Sequence, residues 1–158
     1  MNDLLLLNDG IGQLTVTEKL GNTDSTSVAL GDVNDDTHLD ALVGTTNGAR
    51  VWLNEGDDGT QIFSTPEPTI GNSHLKSVFL VDLDGDGDLD ALLAGLRKAS
   101  VWWNDGQGEF SNSSVQFRYK EDSGLAVGDF DGDGDQDVFA GNNNGYYRIW
   151  FNNGSGNF

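Results

Sequence analysis

The sequence predicts an all-β protein assembled from repeated four-stranded antiparallel units. Three observations carry that prediction. A nine-residue aspartate-rich segment recurs three times at nearly constant spacing, short apolar runs flank each copy in the same order, and turns rich in Gly and Asn separate the runs. Self-similarity at a fixed period marks a repeat architecture. No segment sustains a helical period over the roughly 11 residues a helix requires.

The elements follow in chain order. Residues 4–7 (LLLL) form an apolar run that ends at Asn8 and enters the turn NDGIGQL at 8–14; residues 13–18 continue as a second strand. The first full unit has the strand VALG at 28–31, the loop DVNDDTHLD at 32–40, the strand ALVG at 41–44, the aromatic strand VWLN at 51–54 and a fourth strand near 61–64. The second has VFLV at 78–81, DLDGDGDLD at 82–90, ALLA at 91–94, VWWN at 101–104, the turn NDGQGEF at 104–110 and a fourth strand near 114–119. The third has LAVG at 125–128, DFDGDGDQD at 129–137, VFAG at 138–141, IWFN at 149–152 and the turn NNGSGNF at 152–158. The loops start 50 and 47 residues apart. Runs this short, β-branched or aromatic and bounded by Gly, Asn and Asp read as strands. The Asn-Asp-Gly and Asn-Glu-Gly turns tolerate the positive φ that tight hairpins demand.

Four-stranded units of about 48 residues are the signature of β-propeller blades. The expected organisation is closing strands at 1–24, then blades at 25–72, 73–121 and 122–158, the last lacking its fourth strand. A blade cannot bury both faces alone, so neighbours must stack. Trp52, Trp102 and Trp150 hold equivalent places and are expected to be buried, as core and not as a ligand platform. Trp103 aligns with Leu53 and Phe151, so both faces of the third strand look covered.

The chain carries 26 acidic and 8 basic residues, a net charge of −18. That balance argues against nucleic acid or anionic membrane as partners and for cations. Four Trp, three Tyr and eight Phe in apolar runs argue against disorder. Cysteine is absent, which excludes disulfides and thiolate metal sites. Residues 4–7 are too short and lack the basic flank of a signal peptide, so a signal of an exported parent protein would lie outside this chain.

The aspartate loops point to Ca²⁺. This hard cation takes 6–8 oxygen ligands at about 2.3–2.6 Å, and a tight loop supplies them from alternate positions. Positions 1, 3, 5 and 9 offer side-chain oxygens, and position 7 can offer its carbonyl. The second loop gives Asp82, Asp84, Asp86 and Asp90, with Gly85 and Gly87 for the sharp turn. The third gives Asp129, Asp131, Asp133 and Asp137, with Gly132 and Gly134. The first gives Asp32, Asn34, Asp36 and Asp40, but Asp35 and Thr37 replace the glycines, so it is expected to be the weakest. A solvated acidic turn is the alternative; four crowded carboxylates are unfavourable without a cation or protons to neutralise them. Zinc lacks ligands here, because neither His38 nor His74 has a second His nearby, and Mg²⁺ favours a more hydrated octahedral site. An EF-hand would need Glu at position 12, where Val43, Leu93 and Ala140 stand.

With these residues in view, the loops between short apolar strands resemble FG-GAP/VCBS repeats, the Ca²⁺-binding propeller repeats of the integrin α-subunit type. The resemblance covers essentially the whole chain. It implies that each loop joins the first two strands of a blade, that the ion is structural, and that the carbonyls of His38, Asp88 and Asp135 complete the three ligand sets. It also implies recognition of protein or glycan in an extracellular or cell-surface setting.

Closed propellers have about 4–8 blades. Three blades therefore imply either a partial propeller completed by self-association, as a dimer with exchanged terminal strands, or an excerpt of a larger ring; self-association is the preferred reading. Residues 13–18 are candidates for the missing fourth strand, from the same chain or a neighbour. The main functional expectation is a non-catalytic binding or adhesion module. A lectin with sugar pockets among residues 45–50, 96–100 and 142–147 is the narrower alternative, and a self-assembling fragment without its own ligand is another. An enzyme is disfavoured: the histidines are unpaired, no nucleophile motif is present, and Gly106 and Gly108 belong to a hairpin.

Overall fold

The computed structural model describes residues 3–21, 24–56, 62–64, 69–71, 74–121 and 123–158. Among them lie twelve strands and no helix, arranged in four antiparallel sheets. The chain is a partial β-propeller. β1 (Asp3–Asn8) and β2 (Leu14–Gly21) form a hairpin. The first blade contains β3 (Ser25–Gly31), β4 (Asp40–Thr45) and β5 (Gly48–Trp52); the second contains β6 (Ser77–Val81), β7 (Asp90–Ala94), β8 (Lys98–Asn104) and β9 (Phe110–Arg118). The third contains β10 (Gly124–Gly128), β11 (Asp137–Gly141) and β12 (Tyr147–Trp150).

Strand alternation creates two cores, one at each seam between blades. On β7, Ala91 and Leu93 face the first blade and Leu92 and Ala94 face the third, because successive side chains leave opposite faces of a strand. On β8, Trp102 joins the first core while Val101 and Trp103 join the second. The second blade is thus covered on both faces. The four tryptophans are half-buried, which corrects the expectation that Trp52, Trp102 and Trp150 are buried. On β5 and β8 the most deeply buried side chains are the smaller ones, Ala49, Val51, Ala99 and Val101.

Two fourth strands differ from expectation. β9 begins at Phe110, because Phe110 pairs with Asn104 directly across the turn. In the first blade, the described residues of the expected fourth strand pair through two bridges, Phe63 with Asn54 and Ile70 with Ala49; Gln61 lies outside the described residues. Gly48 permits the second bridge: a Cβ there would lie 2.7 Å from the carbonyl oxygens of Ile70 and Gly71. Within the chain, residues 13–18 do not complete the third blade, since β2 pairs with β1. The two strands are consecutive and joined by a short turn, and consecutive strands usually lie side by side.

Candidate metal centre

Each aspartate loop connects the first two strands of its blade, β3 to β4, β6 to β7 and β10 to β11. The loops are wound by their own carboxylates. Asp82 accepts the Gly85 amide through Oδ1 at 2.7 Å and the Gly87 amide through Oδ2 at 3.1 Å. Asp129 does the same with Gly132 at 2.6 Å and Gly134 at 3.1 Å. Asp86 accepts the Asp88 amide at 2.9 Å and Asp133 the Asp135 amide at 3.0 Å. The glycines at positions 4 and 6 all have positive φ, from 79° at Gly85 to 99° at Gly134. The first loop keeps the same conformation without glycine, holding Asp35 at φ 58° and Thr37 at φ 72°. Asp tolerates this region, whereas a β-branched Thr is strained there.

The carboxylate oxygens converge in two loops. Those of Asp82, Asp84 and Asp86 lie within 4.8 Å of one another, as do those of Asp129, Asp131 and Asp137. The first loop gathers no such trio of carboxylates. There Asn34 donates its amide to Asp36 Oδ2 at 3.0 Å, and His38 Nδ1 lies 3.2 Å from Asp36 Oδ1. Asn34 Oδ1 is buried with no hydrogen-bond partner. An amide oxygen left without a donor at a ligand position fits a cation, because buried polar atoms are normally satisfied. The side chains at position 7 turn away: Asp88 lies against Gly106 and Asp135 against Gly154. That leaves only their carbonyls for the loop interior.

The residue at position 9 has a second role that the loop pattern did not reveal. Asp40, Asp90 and Asp137 are fully buried. In each, Oδ2 accepts the amide of loop position 2 (Val33, Leu83 or Phe130) at 2.9–3.0 Å. Oδ1 accepts the amide of the Asn after the third strand, Asn54, Asn104 or Asn152, at 2.7–3.0 Å. Each carboxylate oxygen keeps a second lone pair for a metal. Burial, opposed by its two amides and reinforced by Asp84 and Asp86, pushes the Asp90 carboxyl up to about 6. Burial and neighbouring carboxylates also raise Asp40, Asp84 and Asp131. At Asp36 burial pushes upward, but hydrogen bonds from His38 and Asn34 outweigh it and the carboxyl is lowered.

Asn104 and Asn152 tie the loops to the neighbouring blade. Asn104 Nδ2 donates to the Val33 carbonyl at 2.8 Å, and Asn152 Nδ2 donates to the Leu83 carbonyl at 2.7 Å. The repeated Asn was visible in the sequence, but its acceptor lies 71 or 69 residues away. Polar cavities of about 170 and 250 Å³ lie along these two seams, the first beside Asp32 and Asp88, the second beside Asp82 and Asp135.

Aspartate loops between the first and second strands of stacked antiparallel blades define a β-propeller repeat protein. Models of the FG-GAP-like repeat match residues 32–93 and 82–139, and the FG-GAP repeat model matches residues 123–157. The chain belongs to the FG-GAP repeat family. A search of curated proteins finds no match.

Proposed function

We propose that this chain is a non-catalytic, Ca²⁺-stabilised propeller module that binds a protein or glycan partner in an extracellular setting. The observation that carries the metal reading is the convergence of three carboxylates in each of the second and third loops. Asp82, Asp84, Asp86 and Asp90 with the Asp88 carbonyl hold one ion. Asp129, Asp131, Asp133 and Asp137 with the Asp135 carbonyl hold another. Asp32, Asn34, Asp36 and Asp40 with the His38 carbonyl hold a third, more weakly. The ion's role is to neutralise the crowded carboxylates and lock the turn from the first strand to the second.

Propellers of the FG-GAP repeat family are generally non-catalytic, and the buried aspartates here are engaged in winding the loops. No helix among the described residues is long and apolar enough to cross a membrane. Extracellular Ca²⁺ near ~1 mM would fill sites with the modest affinity of extracellular modules. Calorimetric titration with Ca²⁺ tests the assignment. The wild type takes up two ions with higher affinity and a third with lower affinity; Asp84→Ala and Asp131→Ala each abolish one of the stronger events. Absence of heat from wild-type protein in millimolar Ca²⁺, with no change in melting, would refute it.

A further inference from the structure

The two ends of the blade stack are unlike each other, and each matches a surface already used inside the chain. At the seam between the first and second blades, the second blade projects Val78, Leu80 and Leu89 into hollows above two glycines. A Cβ on Gly31 would lie 2.6 Å from Leu89 Cδ1 and 3.3 Å from Leu80 Cδ1, and one on Gly44 would lie 2.8 Å from Val78 Cγ1. Glycine is therefore required there to admit the neighbour. In the third blade the equivalent positions are again glycines, Gly128 and Gly141. Gly141 lines an open groove of about 590 Å³ with Leu125, Phe139 and Tyr146, and the space above Gly128 is open up to the Phe130 ring, 3.9 Å from where a Cβ would stand.

The matching projections stand exposed at the other end. Val28, Leu30 and Leu39 of the first blade are the equivalents of Val78, Leu80 and Leu89. Val28 is 61% exposed while Val78 is 4% exposed, and Leu30 and Leu39 are exposed as well. The hydrogen-bond pattern shows the same asymmetry. Val33 and Leu83, whose carbonyls receive Asn104 and Asn152, are buried, whereas the equivalent Phe130 is 45% exposed. Among the described residues, Asn54 Nδ2 donates to the Leu39 carbonyl of its own loop at 3.2 Å, where Asn104 and Asn152 each make a second bond across a seam.

We propose that the open face of the third blade takes the first blade of a second copy of this chain. The second copy's Leu30 and Leu39 fill the hollow at Gly128, its Val28 packs on the Phe139 ring that lies over Gly141, and its Asn54 amide donates to the Phe130 carbonyl. The contact is head to tail, and such a contact makes a ring when its rotation closes. Two copies supply six blades, within the range of about 4–8 for closed propellers. The inference rests on the blade repeat and not on the metal reading.

The test is mass by light scattering and sedimentation, in Ca²⁺ and about 0.5 M NaCl, which shortens the Debye length to about 4 Å and screens the net charge. Wild-type protein is expected at twice 17.0 kDa. Gly128→Leu fills the hollow; a Cβ there meets only the Phe130 ring at 3.9 Å, so the single chain accepts it. Leu39→Asp places a charge on the opposite end at an already exposed site. Each is expected to weaken association at least tenfold while leaving the circular dichroism of the chain unchanged. A wild-type mass of 17.0 kDa across the concentration range would overturn the proposal and leave this groove to a sugar stacked on Tyr147 or to a blade of a longer chain. Association that neither variant weakens would overturn it equally.

Discussion

Asp40, Asp90 and Asp137 each hold three pieces of backbone together: their own strand, the second loop residue and the Asn beyond the third strand. Asp90 stands at about 6 in the folded chain against about 3.9 unfolded. The folded state therefore holds the extra proton between these values, and without metal this group's contribution becomes less favourable as pH rises from about 4 to about 6. Asp40, Asp84 and Asp131 shift in the same direction, and Asp36 opposes them. In EDTA the chain is expected to melt higher at pH 5 than at pH 7; bound Ca²⁺ should erase that difference. Thermal melts at the two pH values, with and without metal, check it.

Two further residues give direct tests at this scale. Thr37 at φ 72° stores strain of about 1–2 kcal/mol, so Thr37→Gly is expected to stabilise the chain by about 1 kcal/mol in urea denaturation and to raise the first loop's Ca²⁺ affinity. Asn152→Ala removes the bonds to the Leu83 and Gln136 carbonyls and leaves the former buried without its donor. A loss of about 1–3 kcal/mol is expected, read in the same assay.

At the scale of the element, the loops were legible because their chemistry is local: a nine-residue spacing states the turn and places carboxylates close enough to converge in the second and third loops. The strands were legible because Gly and Asn mark their ends. The staples across the seams were not, since Asn104 and Asn152 look like strand ends until the neighbouring blade is in place. The fourth strands were read least well. β9 is longer than its apolar residues indicate because polar Ser111 and Asn112 still pair with β8. Among the described residues, the first blade's fourth segment contributes bridges at Phe63 and Ile70. On β9, Phe117 is buried with edge contacts to the rings of Trp150 at 5.2 Å and Phe158 at 4.8 Å. Phe117→Ala is expected to cost about 3–5 kcal/mol, seen as a lower urea midpoint.

At the scale of the whole molecule, three blades carry a net charge of −18, much of it concentrated in loops that sit on the seams. On the proposed metal reading, binding and blade stacking are expected to be coupled: a cation that relaxes a loop would also steady the Val33 or Leu83 carbonyl that receives the neighbouring Asn. With a Kd of ~10⁻⁴ M in ~1 mM Ca²⁺, each site contributes about 1.4 kcal/mol, or about 4 kcal/mol for three. For a chain of this size that corresponds to a rise in Tm of roughly 8–16 °C. The most direct test is thermal unfolding followed by circular dichroism in Ca²⁺ and in EDTA at neutral pH. A rise of about 10 °C in Ca²⁺, reversed by chelator and weakly reproduced by Mg²⁺, is the expected result; the same Tm in both buffers would contradict it.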